Sequence, residues 1–289
     1  STVLQSGTVA TSVEVIAQHS ATGITASSGD ITISTGVPVA SKFSLSIDTF
    51  NPDSWSIDGV AVKFNIIASD AFGNDAPEGT QVSFASPESG NIDSSCTLVS
   101  GRCSVEWISS SPRTSDGLVT ILAHTTGAED FNDTNGNAVY DLNGEFVAAD
   151  HDLPEAYADE NGNGSWDSGE FFVDANENSA YDLGDGVWNG PCLSGIEPSA
   201  ICPANAADAI TIFKMGTIVM SSPVVDTPEV GTFNVPGSTV AIPLNVTTTL
   251  TGLIISDENG NSLPSGGSVT FSISAVDGAV PTLIGATDY

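Results

Sequence analysis

The sequence predicts an all-β protein of antiparallel β-sandwiches that is interrupted by one long acidic insertion. Three observations lead to this fold class. Thr, Ser, Val, Ile and Gly are abundant whereas Lys and Arg total only five of 289 residues, a composition that favours strands over helices. Short runs alternate apolar and polar residues between turns that contain Gly or Pro, as half-buried strands do. The chain also matches itself, at a spacing that exceeds the length of one sandwich.

The internal match predicts both the strands and the insertion. The segment "SDAFGNDAPEGTQVSF" (69–84) agrees with "SDENGNSLPSGGSVTF" (256–271) without gaps, at an offset of 187 residues. Each copy follows an apolar strand and contains a Gly-Asn turn, a Pro-containing loop and an alternating strand, which is the pattern of a β-hairpin. Because a β-sandwich takes only about 100 residues, about 80 residues between the copies must belong to an insertion.

A weaker similarity sets the domain boundaries. The N-terminal stretches "SVEVIAQ" and "GDITISTG" resemble "LVTILAH" (118–124) and "DAITIFKMG" (208–216), which we interpret as the last two strands of a repeat. Residues 1–36 would then be the closing strands of one sandwich. Residues 37–222 would form a complete sandwich with the acidic insertion at about 129–206, and residues 223–289 would open a further, incomplete one.

The order of strand, "D..GN..P.GT.V.F", Gly-rich hairpin, "CSVEW" and "DGLVTILA" resembles the bacterial Ig-like repeats of invasin- and intimin-type surface proteins. The resemblance covers about residues 37–128 and 207–271. Its anchors in the first copy are Gly73, Asn74, Pro77, Gly79, Val82 and Phe84. It implies tandem Ig-like antiparallel sandwiches that serve as rigid spacers or adhesive modules on bacterial surfaces. The acidic insertion departs from the plain family pattern and is interpreted from its own residues.

Charge and cysteine content limit the partners and the compartment. The 36 acidic residues give a formal charge of -31, which makes nucleic acid and anionic membrane surfaces poor partners and favours cations. No apolar run is long enough to predict a membrane span.

Cysteines form two close pairs, Cys96 with Cys103 and Cys192 with Cys202. Four cysteines allow three connectivities and short loops favour the local one, with four reduced thiols as the alternative. Disulfides would indicate an oxidising compartment, either the periplasm or the cell exterior. With the resemblance to surface proteins, we expect an extracellular or bacterial cell-surface location.

The insertion contains a calcium-loop pattern. Between residues 129 and 185 lie sixteen acidic residues and neither Lys nor Arg, so the segment needs counterions to become compact. Its stretch "DENGNGSWDSGE" fits D-x-[DN]-x-[DN]-G-x5-E. In such a loop positions 1, 3, 5, 9 and 12 offer side-chain oxygens, position 7 offers a carbonyl, and glycine at position 6 permits the turn. The predicted ligands are Asp159, Asn161, Asn163, Ser165, Asp167 and Glu170.

Two further loops follow the same spacing less completely. In the second, Ser179 takes the glycine position, and the ligands are Asp174, Asn176, Asn178, Ala180, Asp182 and, as the closing carboxylate, Asp185. In the third, Ala138 takes the glycine position and the closing residue comes one position late; its ligands are Asp133, Asn135, Asn137, Val139, Asp141 and Glu145. We expect the remaining carboxylates, Asp150, Asp152 and Glu155, either to complete the ligand sets of these loops or to form a truncated site of their own.

An aromatic residue recurs at position 8 of all three loops, as Trp166, Tyr181 and Tyr140. This recurrence favours ordered, calcium-filled loops, similar to dockerin loops or thrombospondin type 3 repeats, over a disordered acidic tract. The flanking segments are too short or too rich in proline for the helix pair of a sensor EF-hand. We expect about two to four Ca²⁺ ions as structural cofactors, with Mg²⁺ as the alternative.

No catalytic motif is present, so we expect no enzyme. Acidic pairs at metal-ligand spacing are poor general acids, and the three histidines are far apart in the sequence. Trp107, which alternates with Val105 and Cys103, is interpreted as a core residue. The sequence predicts a calcium-stabilised structural or adhesive surface protein whose partners are calcium ions, neighbouring repeats or identical subunits, and a cell-surface protein or glycan. The alternatives are a head-to-tail, strand-complemented filament subunit and a carbohydrate-binding module of a secreted enzyme.

Overall fold

A computed structural model of the chain describes residues 3, 11–29, 31–33, 36–85, 87–136, 139–140, 144–191, 207, 209–225, 229–230 and 253–267. In chain order its strands are β1 (Thr11–Val13), β2 (Ile16–Gln18), β3 (Thr25–Ser27), β4 (Ile31–Ile33), β5 (Phe43–Ile47), β6 (Ala61–Ala68), β7 (Gln81–Phe84), β8 (Asn91–Ile92), β9 (Ser95–Thr97), β10 (Arg102–Ile108), β11 (Leu118–Gly127), β12 (Ile210–Val219), β13 (Glu229–Val230) and β14 (Leu253–Ile254). Within these residues one α-helix occurs, the single turn α1 (Ala148–His151), beside a 3-10 turn at Ala40–Lys42. The predicted all-β class is therefore confirmed.

Eight of the described strands form two antiparallel four-stranded sheets. Their strand orders are β5-β6-β10-β8 and β12-β11-β7-β9. The alternation in β6 explains its place, because Val62, Phe64 and Ile66 are buried while the residues between them are more exposed. These side chains share one hydrophobic cluster with residues of the second sheet such as Ile121 and Ile218. The two sheets therefore enclose a common core.

The core contains Trp107, as the alternation of β10 predicts. Its side chain is fully buried, and its indole nitrogen donates a hydrogen bond of 2.9 Å to the carbonyl of Ser89. Gly90 lies directly against the ring: a Cβ at this position would be 2.3 to 2.7 Å from three indole atoms. The close approach explains why this turn carries a glycine.

The disulfide between Cys96 and Cys103 is confirmed, with its Cα atoms 5.9 Å apart. Ser100 and Gly101 form the expected tight turn with positive φ, closed by pairing of Val99 with Arg102. Beyond the turn, however, the two strands separate into different sheets, because β9 pairs with β7 and β10 pairs with β6. The disulfide thus connects the two sheets. Cys192 and Cys202 lie outside the described residues.

The two matching sequence segments form the same turn. Asp70 accepts hydrogen bonds from the backbone N–H groups of Phe72 and Asn74, and Asp257 accepts them from Asn259 and Asn261. Asp70 and Asp257 are both fully buried, so these bonds replace their hydration.

The second of these turns contacts the end of the two-sheet unit. The Asp257 carboxylate accepts the N–H of Ser222 at 2.8 Å, and the Asn261 amide donates to the carbonyl of Asp116 at 2.6 Å. Asn51 donates to the carbonyl of Leu263. The segment that follows β12 is therefore attached to this unit by polar contacts.

No helix among the described residues combines the length and the apolar character of a membrane-spanning segment.

Candidate metal-binding segment

The acidic insertion connects the paired strands β11 and β12, and part of it packs on the outer face of their sheet. Strands β11 and β12, which precede and follow it, are paired from Leu118 and Val219 to Gly127 and Ile210. Leu122 points away from the core side of β11 and is nonetheless fully buried, because Ala156 and Ala158 of the insertion cover it together with Phe213 of β12. The part of the insertion that carries the first two loops is thus a layer on the outer face of this sheet.

The first predicted loop, 159–170, closes around its own backbone. The Asp159 carboxylate accepts the N–H groups of Asn163 (3.1 Å) and Gly164 (2.7 Å). The Glu170 carboxylate accepts the N–H groups of Glu160 (3.0 Å) and Asp167 (2.8 Å). Gly164 has φ of +82°, a conformation that glycine adopts without steric cost. The first and last ligand positions of the pattern are therefore brought together by the turn.

Side chains at positions 3, 5 and 9 of this loop converge on one point. The amide groups of Asn161 and Asn163 both approach Oδ2 of Asp167, at 2.8 and 2.5 Å. An amide that rotates by 180° gives up the backbone N–H that its Oδ1 accepts, from Asn163 or Ser165, and places that oxygen at this point instead. The same three side chains can therefore present three oxygens to a cation at this point.

The second loop repeats this arrangement atom for atom in its first nine positions. Asp174 accepts the N–H groups of Asn178 (3.0 Å) and Ser179 (2.7 Å), and the amides of Asn176 and Asn178 approach Oδ2 of Asp182 at 2.7 and 2.5 Å. Ser179 has φ of +64°, so it adopts the left-handed conformation of the glycine that it replaces. The missing glycine alters the conformational cost of this loop but not its shape.

The closing carboxylate of the second loop comes from upstream in the chain. Glu155 accepts the N–H groups of Ala175 at 2.8 Å and Asp182 at 3.2 Å, which are positions 2 and 9 of the second loop. Glu170 accepts the N–H groups of the same two positions in the first loop. Asp185, predicted to close this loop, instead accepts the N–H of Val187 and the amide of Asn189. Sequence spacing misses Glu155 in this role because it precedes the loop that it closes.

The two loops are paired through their aromatic residues at position 8. The rings of Trp166 and Tyr181 stack with centroids 4.6 Å apart and an interplanar angle of 18°. Tyr157 contacts the ring of Tyr181 edge to face and also the ring of Phe213 on β12. A short antiparallel pairing between Tyr157 and Phe172 runs between the loops. The pair of loops therefore has a small aromatic core anchored on the sheet.

The third loop is described in part. Thr134, at position 2, donates its N–H and its hydroxyl to Oε1 of Glu145, at 3.0 and 2.8 Å, and Glu145 is fully buried. Glu145 therefore occupies the place of Glu170 and Glu155 although it lies one residue late. Asp133 accepts the N–H of Gly136. Asn135 and Val139 are described, whereas Asn137 and Asp141 lie outside the described residues.

The position-7 residues with predicted carbonyl ligands are Ser165, Ala180 and Val139. The N–H groups of Ser165 and Ala180 donate to the side chain at position 5 of their own loop, at 2.8 and 2.7 Å. Asp150 is exposed on α1 and lies outside the loops. Asp152 accepts the N–H of Gly186 at 2.8 Å.

The described residues contain no group of three or more Asp, Glu, His or Cys side chains placed to hold a metal ion. The loops explain this result. Their convergent points combine two Asn amides with one Asp, and the carboxylates at the first and closing positions accept backbone N–H groups. The donors are oxygens of Asp, Glu and Asn with a main-chain carbonyl, which suit Ca²⁺ and the alternative Mg²⁺ and are unsuited to zinc or copper. The residues present therefore fit a calcium ion.

Comparison with protein-family models, with curated proteins and with solved structures finds no match to this chain.

Proposed function

We propose that this protein is a calcium-stabilised structural or adhesive module of an extracellular or bacterial cell-surface protein, built from Ig-like domains. The observation that carries the proposal is the shared hydrogen-bond scheme of the 159–170 and 174–182 loops. Two loops of different sequence, one closed by Glu170 and the other by Glu155, place the same atoms at the same positions. Calcium ligation explains why both loops preserve oxygens at these positions.

The calcium ions have a structural role in this proposal. A sensor loop needs two flanking helices that can change their angle, whereas these loops are bordered by the short pairing of Tyr157 with Phe172 and are packed on Leu122. Extracellular calcium modules bind at about 10⁻⁴ to 10⁻³ M, concentrations at which calcium outside cells keeps a site filled. Bound ions would offset part of the negative charge of a segment with sixteen acidic residues and hold it against the sheet.

The spacer role is supported by the contacts that follow β12. Asp257 and Asn261 attach the turn that contains them to Ser222 and Asp116, and these contacts would hold a following domain built on this turn in place. A rigid junction is what a stalk or a fibre requires. Head-to-tail strand complementation is the alternative assembly, and electron microscopy of the full chain with calcium distinguishes filaments from monomers.

A glycan-binding role finds less support in the tryptophans. Trp107 and Trp188 are buried, and Trp55 packs against the core. Trp166 is half-buried and stacks on Tyr181. None of these four side chains is a free platform for a sugar ring, so we propose glycan binding only as a secondary role, to be tested on a glycan array with calcium present.

Thermal unfolding of the full chain in calcium, magnesium and chelator tests the proposal. We expect calcium to raise the unfolding temperature more than magnesium does. Glu170→Gln removes the closing carboxylate of the first loop and should reduce the calcium-dependent increase. Glu177→Gln is the matched control, because Glu177 is an exposed carboxylate within the second loop at a non-ligand position. An unfolding temperature that is the same in calcium and in chelator for the wild type would overturn the proposal.

A further inference from the structure

The hydrogen-bond scheme of the two loops occurs a third time, assembled from three separate parts of the insertion. Gly186 donates its N–H to Oδ2 of Asp152 at 2.8 Å, as Gly164 does to Oδ2 of Asp159. Val187 donates its N–H to Oδ1 of Asp185 at 2.8 Å, as position 7 does to position 5 in the continuous loops. Asp152 therefore corresponds to position 1, and residues 185–187 correspond to positions 5–7.

The closing carboxylate of this assembly is Glu129, the second residue after β11. Its Oε1 accepts the N–H of Leu153 and its Oε2 accepts the N–H of Asn189, at 2.8 and 2.7 Å. These donors are positions 2 and 9, the same pair that Glu170 and Glu155 contact. The correspondence includes the position-8 aromatic residue, because the indole of Trp188 donates to the carbonyl of Glu129 as the indole of Trp166 does to that of Glu170.

The aromatic pairing is also repeated. The rings of Trp188 and Tyr140 lie 4.6 Å apart, the same centroid distance as between Trp166 and Tyr181. Tyr140 is position 8 of the third loop. The assembled site therefore pairs with the third loop as the first loop pairs with the second.

A buried oxygen without a partner points to a ligand at this place. Oδ1 of Asp152 is buried and has no hydrogen-bond partner. A buried acceptor without a partner is unfavourable, and a bound cation would satisfy it. The carboxylate of Glu129 is also fully buried. Asp185 and Gly186 are exposed and leave the site open to solvent.

We infer that Glu129, Asp152, Asp185 and Asn189, with the carbonyl of Val187, form a discontinuous calcium site that joins the end of β11 to two distant parts of the insertion. We call it the split site. Its three carboxylates accept backbone N–H groups, like those of the continuous loops, and would turn to the ion when it binds. The inference rests on the proposed calcium binding by the continuous loops and extends it to residues that are far apart in the sequence. An ion here connects residue 129 to residues 152 and 185–189, so it fixes the base of the insertion beside the sheet.

Amide resonances report on each site separately. In a calcium titration of the ¹⁵N-labelled full chain, the Gly164 signal follows the first loop and the Gly186 signal follows the split site, since each N–H donates to a position-1 carboxylate. We expect both signals to shift. Glu129→Gln should raise the calcium concentration at half-saturation for Gly186 by at least about tenfold, because ligand charge sets calcium affinity. Under the same change Gly164 should keep its midpoint.

Controls separate the two proposals. Glu170→Gln should have the converse effect, and Glu177→Gln should change neither midpoint. If Gly164 titrates and Gly186 does not, the split site is wrong while the proposed function stands; if Gly164 does not titrate, calcium binding by the first loop is wrong. Should Glu129→Gln not fold, Asp185→Asn at the exposed side of the site gives the same test. An unchanged Gly186 midpoint in that variant overturns the inference.

Discussion

Two residues, Glu155 and Asp185, are rival candidates for the closing carboxylate of the second loop. Single and double substitutions distinguish between the two assignments. Spacing in the sequence assigns Asp185 as the closing ligand, whereas the hydrogen bonds to Ala175 and Asp182 assign Glu155. If Glu155 closes the second loop, Glu155→Gln weakens calcium binding there and Asp185→Asn weakens calcium binding at the split site. The two substitutions then act on different ions, and their effects on the free energy of unfolding should add.

The magnitude follows from binding linkage. With a dissociation constant of about 10⁻⁴ to 10⁻³ M and about 10 mM calcium, each filled site stabilises the folded chain by about 1.4 to 2.7 kcal/mol. Glu155→Gln also removes a charged acceptor from two N–H groups, at a cost of about 1 kcal/mol that is independent of calcium. The quantity to compare is therefore the difference in unfolding free energy between calcium and chelator, from which this second cost cancels.

Urea unfolding of the full chain gives that difference for the wild type, both single variants and the double variant. We expect each single variant to lose at least about 1 kcal/mol of this difference if its site binds tenfold more weakly, and the full 1.4 to 2.7 kcal/mol, approximately, if the site no longer binds; the double variant should lose the sum of the two. Glu177→Gln should retain the full calcium effect. The reasoning is refuted if Glu155→Gln keeps the wild-type increment, or if the double variant loses no more than Asp185→Asn alone.

Three predictions concern the framework. Gly90→Ala should lower the free energy of unfolding in urea by about 1 to 3 kcal/mol more than Gly79→Ala does. Both glycines have positive φ, but only a Cβ at residue 90 meets the Trp107 ring. Equal losses for the two variants would refute the clash. Cys103→Ser should have a free energy of unfolding roughly 2 to 3 kcal/mol lower than that of the oxidised wild type, because it loses a disulfide that closes a short loop. Its free energy of unfolding should equal that of the reduced wild type, and a difference there would show that the substitution acts in another way. Asp257→Ala should remove hydrogen-exchange protection from the N–H groups that it accepts, and retained protection would show that the turn forms without it.

The closed shape of the first loop could be predicted because the residues of its calcium-loop pattern are contiguous. Asp159 to Glu170 is a single turn of chain, so the spacing of residues along the sequence is also their arrangement around the candidate ion. The second loop could be predicted only to Asp182. Its closing carboxylate, Glu155, is brought to it by the pairing that aligns the two loops, and local spacing carries no record of that pairing.

The core shows the same division. The alternation of β10 is enough to place Trp107 inside, because side chains on a strand point alternately to its two faces. The proximity of Cys96 and Cys103 in the chain is enough to predict their disulfide. The sequence does not show that the disulfide connects two sheets, because this depends on the pairing of β9 with β7 and of β10 with β6.

The sequence by itself determined the all-β class, the calcium-loop pattern and the local disulfide of this protein, since each depends on residues within about one strand or one loop of each other. Only the tertiary structure decided that the insertion lies on Leu122 of the sheet, that Glu155 closes the second loop, and that Glu129 meets Asp152 and Asn189. The physical reason is that these contacts join segments whose separation along the chain is unrelated to their distance in space. Packing of the aromatic pairs and pairing of the strands bring them together.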